Sequence, residues 1–334
     1  MLCRMTATIM RTHFKQLMAL TGAMILISCP VLRAADEVTF AEIHITSTAD
    51  GSKQPARWFA PPSQKEPAPL LVVLHTWSGD YRQKGFGDEA LVECAKRGWS
   101  LIHPNFRGAN KKPDACGSDL AVQDVLDAIA WAKTNAKVDD RRIYLVGTSG
   151  GGHMTLMMAT RSPDTFAGVS SWVPVTDLAA WHGETKAAGR NYWRDCEAVC
   201  GGPPGASKAI DAEYRKRSPL FHLADAKGVA IDLNVGIHDG YTGSIPVTHS
   251  LLAFNRLAEV NGKSSAKLSD EHIAFMRKQR KVPPALADER EDDGTRQKKV
   301  IFRRSAGPAR LTVFEGTHEG DTHAAIAWLA KQKK

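Results

Sequence analysis

The sequence lacks the compositional extremes that mark fibrous, disordered and polytopic membrane proteins. Of its 334 residues, 43% are hydrophobic, 24% are charged and only 7% are aromatic. This is the balance of an ordinary globular protein, so extended disorder, a collagen-like fibre and a bundle of membrane helices are excluded. A length of about 300 residues, once an N-terminal export segment is set aside, suits one large α/β domain as well as two small ones.

The chain also lacks a concentrated basic region, although its formal net charge is +8. The first 34 residues hold four basic residues and no acidic one, which leaves 40 basic and 36 acidic residues in the rest. No basic stretch with interleaved aromatic residues stands out. We therefore expect no nucleic acid among the partners of this protein.

No apolar run makes a convincing membrane span, but the N-terminus has the order of a secretory signal. The basic segment Met10–Lys15 precedes the uncharged stretch Gln16–Leu32, and Ala34 offers a small residue for cleavage. With 17 residues that include Gln, Ser and Pro, the stretch is too short and too polar for a stable span. We predict a signal peptide over residues 1–34 and an exported protein, periplasmic or secreted. Two alternatives are open: a lipoprotein anchored at Cys29 and an uncleaved N-terminus.

Cysteine is scarce after this segment. The four that follow it are Cys94, Cys116, Cys196 and Cys200. An exported protein can form disulfides, and four cysteines allow three complete pairings, between which the sequence does not choose. No second Cys or His pair accompanies Cys196 and Cys200 at the spacing of a zinc site, so we expect no metal ion.

Apolar patterns of strand length and of helix length alternate along the chain from residue 38 onwards. The strand patterns are Val38–Thr48, Ala56–Ala60, Leu70–His75, Trp99–Phe106, Arg142–Val146, Phe166–Pro174, Val229–Ile237 and Ala309–Phe314. The helix patterns are Asp88–Arg97, Asp119–Asn135, a segment after Ser149, Val247–Asn261 and Thr322–Lys331. This alternation predicts an α/β fold with a doubly wound, mostly parallel sheet and helices on both faces.

Two stretches interrupt the alternation without forming a second domain. Residues 177–217 contain several aromatic residues and a Gly-Gly-Pro-Pro turn, and residues 262–303 are highly charged. We interpret both as insertions in a single domain that spans residues 35–334. Two interpretations of the second stretch are open: a solvated helix and loop, or a cap over the active site.

The segment Gly147–Gly151 reads Gly-Thr-Ser-Gly-Gly, follows the strand pattern RRIYLV and opens a helix pattern. In this strand–turn–helix context, G-x-S-x-G places a serine hydroxyl on a sharp turn at the end of a strand. A dinucleotide site is excluded because Ser149 replaces the middle glycine of its motif, and a phosphate loop is excluded because the closing Lys-Ser/Thr is missing. The motif therefore predicts Ser149 as a nucleophile, and we expect no cofactor.

A serine nucleophile requires a base and a carboxylate that orients the base, in the chain order serine, acid, histidine. Asp239 ends a strand pattern, and His318 lies in the loop before the last helix pattern. Both should therefore reach the sheet edge that carries Ser149. Three residues are alternatives for these roles: Asp177 and Asp232 for the acid, and His323 for the base.

The oxyanion of acyl transfer needs main-chain N–H donors that are fixed before the reaction. Gly150 directly follows the nucleophile and should supply one donor. The loop after the strand LLVVLH should supply the other, with Trp77 favoured over Thr76. Six aromatic residues near strand ends are expected either to form a small apolar pocket or to pack within the core or a lid. They are Trp77, Trp172, Trp181, Tyr192, Trp193 and Tyr241.

Several of these stretches together resemble the α/β-hydrolase catalytic domain of the prolyl oligopeptidase family of serine peptidases. They are LLVVLHTWSGDY, PNFRGAN, DVLDAIAWA, YLVGTSGGG, HDGYTGSIPVTHS and the final THEG. The resemblance implies an α/β-hydrolase fold and a serine peptidase with Ser149, Asp239 and His318 as its triad. It also implies that Arg107 lies beside the active site, either shaping the site or forming a structural ion pair.

The chain departs from the family pattern at three points. Thr76 stands where a glycine is usual, the segment after Asp239 is longer than usual, and no β-propeller sequence precedes Leu70. We expect an exported single-domain serine hydrolase that acts on small peptides or esters. The alternatives are an esterase for acylated carbohydrate and a non-catalytic binding protein of the same fold.

Overall fold

Residues 38–62 and 64–334 are described by a computed structural model of the chain. The predicted signal peptide lies outside these residues, together with its cleavage site at Ala34 and the lipoprotein alternative at Cys29. Within the described residues, no helix combines the length and the apolar composition that a membrane crossing requires.

Nine strands in the described residues form one sheet. They are β1 (Ala41–Thr46), β2 (Lys53–Phe59), β3 (Ala68–Leu74), β4 (Ser100–Pro104), β5 (Val138–Thr148), β6 (Gly168–Trp172), β7 (Ile231–Gly236), β8 (Val300–Ala306) and β9 (Ala309–Phe314). Their order is β1-β2-β4-β3-β5-β6-β7-β9-β8. The pairings from β4 across to β9 are parallel, whereas β1–β2, β2–β4 and β8–β9 are antiparallel. The prediction of a mostly parallel sheet is confirmed.

The central strands are buried because their apolar residues are continuous, as parallel sheets with two covered faces require. Every residue of Leu70–Leu74 in β3 and of Gly168–Trp172 in β6 is buried. Since β3, β5, β6, β7 and β9 run in one direction, their carboxyl ends meet at one edge of the sheet. In open α/β sheets this edge is where substrates bind.

Nine α-helices in the described residues accompany the sheet. They are α1 (Phe86–Arg97), α2 (Asp119–Asn135), α3 (Gly150–Arg161), α4 (Leu178–Ala187), α5 (Tyr192–Cys200), α6 (Lys208–Lys216), α7 (Thr248–Val260), α8 (Asp270–Gln279) and α9 (Thr322–Leu329). Helices α1 and α9 pack together on one face, and α2, α3 and α7 cover the other. The predicted doubly wound arrangement is therefore confirmed.

The insertion at residues 177–217 folds into α4, α5 and α6. Its apolar core brings Trp181, Cys196 and Tyr214 against Trp77 and Cys116 of the central domain. The insertion is therefore fastened to the domain by apolar packing next to the loop that follows β3.

The four cysteines after residue 34 are all buried, and all are free thiols. Cys94 lies in the main core, whereas Cys116, Cys196 and Cys200 lie in the apolar cluster where the 177–217 insertion packs against the rest of the domain. Burial raises the pKa of the Cys200 thiol to about 12. These side chains therefore serve as small apolar groups in the structure.

The insertion at residues 262–303 is mostly exposed and contains one α-helix and loops, and its last residues belong to a strand. It contains α8 and leads into β8, which pairs with β9 at the edge of the sheet. The sequence did not predict β8, because Arg303 and Arg304 break its apolar pattern. Arg303 pairs with Asp293 at 2.7 Å, and Arg304 pairs with Glu289. These acidic partners allow two arginines to lie in an edge strand.

Candidate active site

Ser149 lies on a sharp turn between β5 and α3. Its backbone has φ 61° and ψ −117°, a conformation that a residue with a side chain rarely adopts. Its N–H donates to the Trp172 carbonyl at 2.8 Å. A Cβ on Gly147 would lie 2.5 Å from the Gly151 carbonyl, so only glycine fits at position 147. The G-x-S-x-G segment therefore forms the strained turn at a strand end that its motif describes.

Asp239 and His318 meet beyond the ends of β7 and β9, which are neighbours in the sheet. His318 Nδ1 lies 2.7 Å from Asp239 Oδ2, and the Asp239 side chain is fully buried. Asp239 Oδ1 accepts the N–H groups of Gly240 and Ile245, at 2.9 and 3.1 Å. Because the Nδ1–H is donated to the carboxylate, Nε2 is the ring nitrogen left to exchange protons.

The loop that carries His318 touches the turn that carries Ser149. A Cβ on Gly320 would lie 2.5 Å from Oγ1 of Thr148, the residue that directly precedes Ser149. No hydrogen bond joins Ser149 to His318 in this conformation. Among the described residues, the hydrogen-bond partner of His318 Nε2 is Ser244 Oγ, at 3.4 Å. Hydrogen bonds between nucleophile and base are often long before substrate binds and shorten in the complex.

The loop after Asp239 wraps around the acid and the histidine. A Cβ on Gly243 would lie 2.0 Å from Asp239 Oδ1 and 2.6 Å from His318 Cβ, so no side chain fits there. Ser244 follows and is the site residue that sequence reasoning missed. The unusual length of this loop is visible in the sequence, but the length does not show which of its hydroxyl groups faces the histidine.

The main chains of Trp77 and Gly150 approach closely beside the serine turn. A Cβ on Gly150 would lie 2.4 Å from the Trp77 nitrogen. Asn110 fixes the Trp77 peptide by donating its N–H to the Trp77 carbonyl at 2.8 Å. The N–H of Thr76, the alternative donor, is already donated to Gln83 Oε1 at 2.9 Å. Within the described residues the Trp77 N–H has no acceptor, so it is available to a substrate oxygen.

The alternative acids have other partners. Asp177 begins α4, and its Oδ1 accepts main-chain N–H groups of that helix at 3.0 and 3.1 Å. Asp232 is buried in β7 and pairs with Arg310 at 2.7 Å. Burial alone would raise the pKa of Asp232, but the charges of Arg310 and Arg296 outweigh burial and lower the pKa. Both carboxylates therefore stabilise the fold where they lie.

Two other histidines, His323 and His153, have partners of their own. His323, the alternative base, is about half exposed and lies 3.7 Å from Glu93. His153 is fully buried in α3, with its Nε2 2.7 Å from the Arg217 carbonyl. Neither histidine bonds to Ser149 or Asp239 through its side chain in the part of the chain that the structure describes.

Arg107 forms a structural ion pair, which is the second of the two roles that the resemblance implied for it. Its Nε lies 2.6 Å from Asp124 Oδ2, and its Nη1 lies 2.6 Å from Asp50 Oδ2. The hydrogen bonds that Arg107 donates to Asp50 and Asp124 raise the pKa of the guanidinium, and Arg107 in turn lowers the pKa of Asp50. This pair ties the β1–β2 turn to α2.

Three of the aromatic residues expected near a pocket are packing residues instead. Trp77, Trp172 and Trp181 are at most 2% exposed, which matches the alternative in which they pack within the core or a lid. Their indole N–H groups donate to Asp195 Oδ2 (3.0 Å), Ser170 Oγ (2.9 Å) and the Ser244 carbonyl (2.9 Å), respectively. Of the other three, Tyr192 stacks on Trp181, Trp193 is half-buried and Tyr241 is exposed. The Trp77 and Trp181 bonds tie the 177–217 insertion to both loops of the site.

The doubly wound sheet and the strained serine turn between β5 and α3 place the protein in the α/β-hydrolase class. Within this class, the model of the prolyl oligopeptidase family matches residues 91–277. The chain therefore belongs to the prolyl oligopeptidase family.

Three similar proteins illustrate the relationship. The chain is 25% identical over 214 residues to acylamino-acid-releasing enzyme 2 of Oryza sativa subsp. japonica, which covers 58% of the chain and 27% of that enzyme. It is 29% identical over 119 residues to poly(3-hydroxyalkanoate) depolymerase C of Paucimonas lemoignei, which covers 31% and 27%. The acylaminoacyl peptidase structure of Pyrococcus horikoshii shares the fold, with a TM-score of 0.55 and 22% identity over 66% of the chain and 35% of the peptidase. The chain spans roughly a third or less of the length of each.

Proposed function

We propose that Ser149, His318 and Asp239 act as a catalytic triad for acyl transfer. The observation that carries the proposal is the 2.7 Å hydrogen bond from His318 to the buried Asp239, in a loop that touches the Ser149 turn. Ser149 attacks the carbonyl carbon while His318 Nε2 takes its proton, and Nε2 then gives that proton to the leaving group. Water hydrolyses the acyl-enzyme through a second round of the same proton transfers.

The main-chain N–H groups of Trp77 and Gly150 are the proposed donors to the oxyanion. The support is the 2.4 Å approach between a Cβ built on Gly150 and the Trp77 nitrogen, together with the free Trp77 N–H. Each such donor stabilises the transition state by about 2.7–4 kcal/mol. Both donate through the main chain, so the side chain at position 77 is free to serve in packing.

Short acylated peptides are the proposed substrates. Ser149 is only 8% exposed, and the 177–217 insertion is tied to the loops on both sides of it, which favours a small acyl group over a folded protein. The relative in rice is an acylamino-acid-releasing enzyme, which favours an N-acylated amino acid at the reacting bond.

Ester hydrolysis is the second candidate, including deacylation of carbohydrate esters. It is favoured by the similarity to a poly(3-hydroxyalkanoate) depolymerase, because that polymer is joined by ester bonds. The same triad cleaves esters and amides, and an ester leaving group needs less help from a proton donor.

A panel of small substrates tests the proposal. We expect the enzyme to hydrolyse p-nitrophenyl acetate and N-acetylated dipeptides, and to leave casein largely intact. Ser149→Ala should lower kcat by about 10⁶-fold, as loss of the nucleophile does in other serine hydrolases. Ser264→Ala, at an exposed serine, is the matched control and should keep full activity. Efficient casein cleavage with negligible turnover of the small substrates would contradict the proposed substrate class.

We propose export separately, because a basic segment, an apolar stretch and a small residue follow one another within residues 1–34. We expect mass spectrometry of the periplasmic or secreted protein to find an N-terminus at or near Ala35. A lipid on Cys29 would replace this proposal with membrane anchoring, and an intact Met1 would refute both.

A further inference from the structure

The hydroxyl of Ser244 is held beside the nitrogen that moves the proton. Its Oγ lies 3.4 Å from His318 Nε2, and Ser244 is half-buried, so a bound substrate can reach it. The peptide group that joins Ser244 to Ile245 is fixed at both of its polar atoms. The Trp181 indole N–H donates to the Ser244 carbonyl at 2.9 Å, and the Ile245 N–H donates to Asp239 Oδ1 at 3.1 Å. The main chain that carries the hydroxyl is therefore held by the 177–217 insertion and by the acid itself.

The proposed triad mechanism also brings the departing heteroatom of the substrate close to His318 Nε2. The departing heteroatom takes its proton from His318 Nε2, so it must come within about 3 Å of that nitrogen. A hydroxyl fixed 3.4 Å from Nε2 is then a neighbour of the departing atom. A hydroxyl can both donate and accept a hydrogen bond, so it suits an oxygen as well as a nitrogen leaving group.

We propose that Ser244 binds the leaving group and favours substrates whose leaving group needs protonation. This inference rests on the proposed triad. As the bond from the carbonyl carbon to the heteroatom breaks, its electron pair goes to the heteroatom. The heteroatom takes the Nε2 proton and departs as an alcohol or an amine. Ser244 donates its O–H to a departing oxygen, or accepts the N–H of a departing amine, and keeps its own proton throughout.

The test is how kcat/KM depends on the leaving group in Ser244→Ala. The substrates are the p-nitrophenyl, phenyl and trifluoroethyl esters of acetic acid, in order of increasing need for protonation. We expect a change within about twofold for the first and a fall of about tenfold for the last, which corresponds to about 1.4 kcal/mol. The carbonyl that bonds Trp181 belongs to the main chain, so the substitution leaves the loop attached.

Two further variants make the test specific. Ser244→Thr keeps a hydroxyl and should restore the trifluoroethyl rate to within about threefold of the parent enzyme. Thr242→Ala removes another hydroxyl of the same loop, whose Oγ1 lies 3.3 Å from the His238 carbonyl, and should leave all three rates unchanged.

The outcomes separate this inference from the proposed triad. An equal loss for all three esters would make Ser244 a structural residue, and an equal gain would mean that it competes with Ser149 for Nε2. Either result overturns the leaving-group role. If fluorophosphonate labels Ser149 but Ser244→Ala changes kcat/KM by the same factor for all three esters, only the leaving-group role of Ser244 fails. If Ser149 is not labelled at all, the triad fails first.

Discussion

At the scale of single residues, the surroundings of a carboxylate decide what it can do. Asp239 is fully buried, accepts two main-chain N–H groups and bonds His318. Asp177 lies at the end of the preceding strand region, but its side chain is used to begin α4. A buried carboxylate that already holds the imidazole needs no rearrangement to stabilise the imidazolium that forms in the proposed mechanism.

We predict that Asp239→Asn lowers kcat by about 10⁴-fold, because an amide at this position favours the wrong histidine tautomer. Asp177→Asn is the control, since asparagine also begins helices well, and it should change kcat by less than about threefold. Steady-state kinetics on p-nitrophenyl acetate distinguish the two. The reverse ranking would move the acid to the loop after β6.

At the scale of elements, the turn that carries Ser149 packs closely against the loop after β3. Gly150 opens α3, and its α-carbon faces the main chain of Trp77 with no room for a methyl group. The geometry of the proposed oxyanion donors therefore depends on how the start of α3 packs against the loop after β3.

We predict that Gly150→Ala lowers kcat by about 10²-fold, because the added Cβ must displace the Trp77 main chain and one oxyanion donor with it. Gly183→Ala is the matched control. Gly183 lies in α4 with no atom within 4 Å of a Cβ, so alanine should raise the free energy of unfolding by about 0.5–1 kcal/mol and leave kcat unchanged. Full activity in Gly150→Ala would show that these amides do not bind the oxyanion.

The elements that could be predicted from the sequence are those whose pattern is set by residues adjacent in the chain. Buried strands such as Leu70–Leu74 are continuous apolar runs, and the serine turn is fixed by its own glycines. Strand β8 was missed because Arg303 depends on Asp293, ten residues earlier in the chain. Ser244 was missed for a similar reason, since only the folded loop shows which hydroxyl meets His318.

At the scale of the whole molecule, buried neutral histidines couple stability to pH. Burial lowers the pKa of His153 from 6.5 to about 4, and it also lowers the pKa of His75 and of His103. Between pH 6.5 and 4 the unfolded chain binds a proton at His153 that the folded chain does not. The free energy of unfolding therefore falls as the pH is lowered through this window.

We predict that the parent protein loses about 2 kcal/mol more of its free energy of unfolding than His153→Gln does between pH 7 and pH 5. Glutamine keeps an N–H donor for the Arg217 carbonyl and has no group that titrates in this range. Urea unfolding at the two pH values measures the difference. An equal loss in both proteins would mean that the pKa of His153 is the same in the folded and unfolded states.

The measurement that bears most directly on the proposed triad is mass spectrometry of the protein after reaction with a fluorophosphonate. We predict one adduct, on the peptide that contains Ser149, formed rapidly in the parent protein and far more slowly in Asp239→Asn. Ser149→Ala should form no adduct while keeping its near-ultraviolet circular dichroism, which shows that the fold is intact. An adduct that persists in Ser149→Ala, or that maps to Ser244 in the parent protein, would contradict the assignment of Ser149 as the nucleophile.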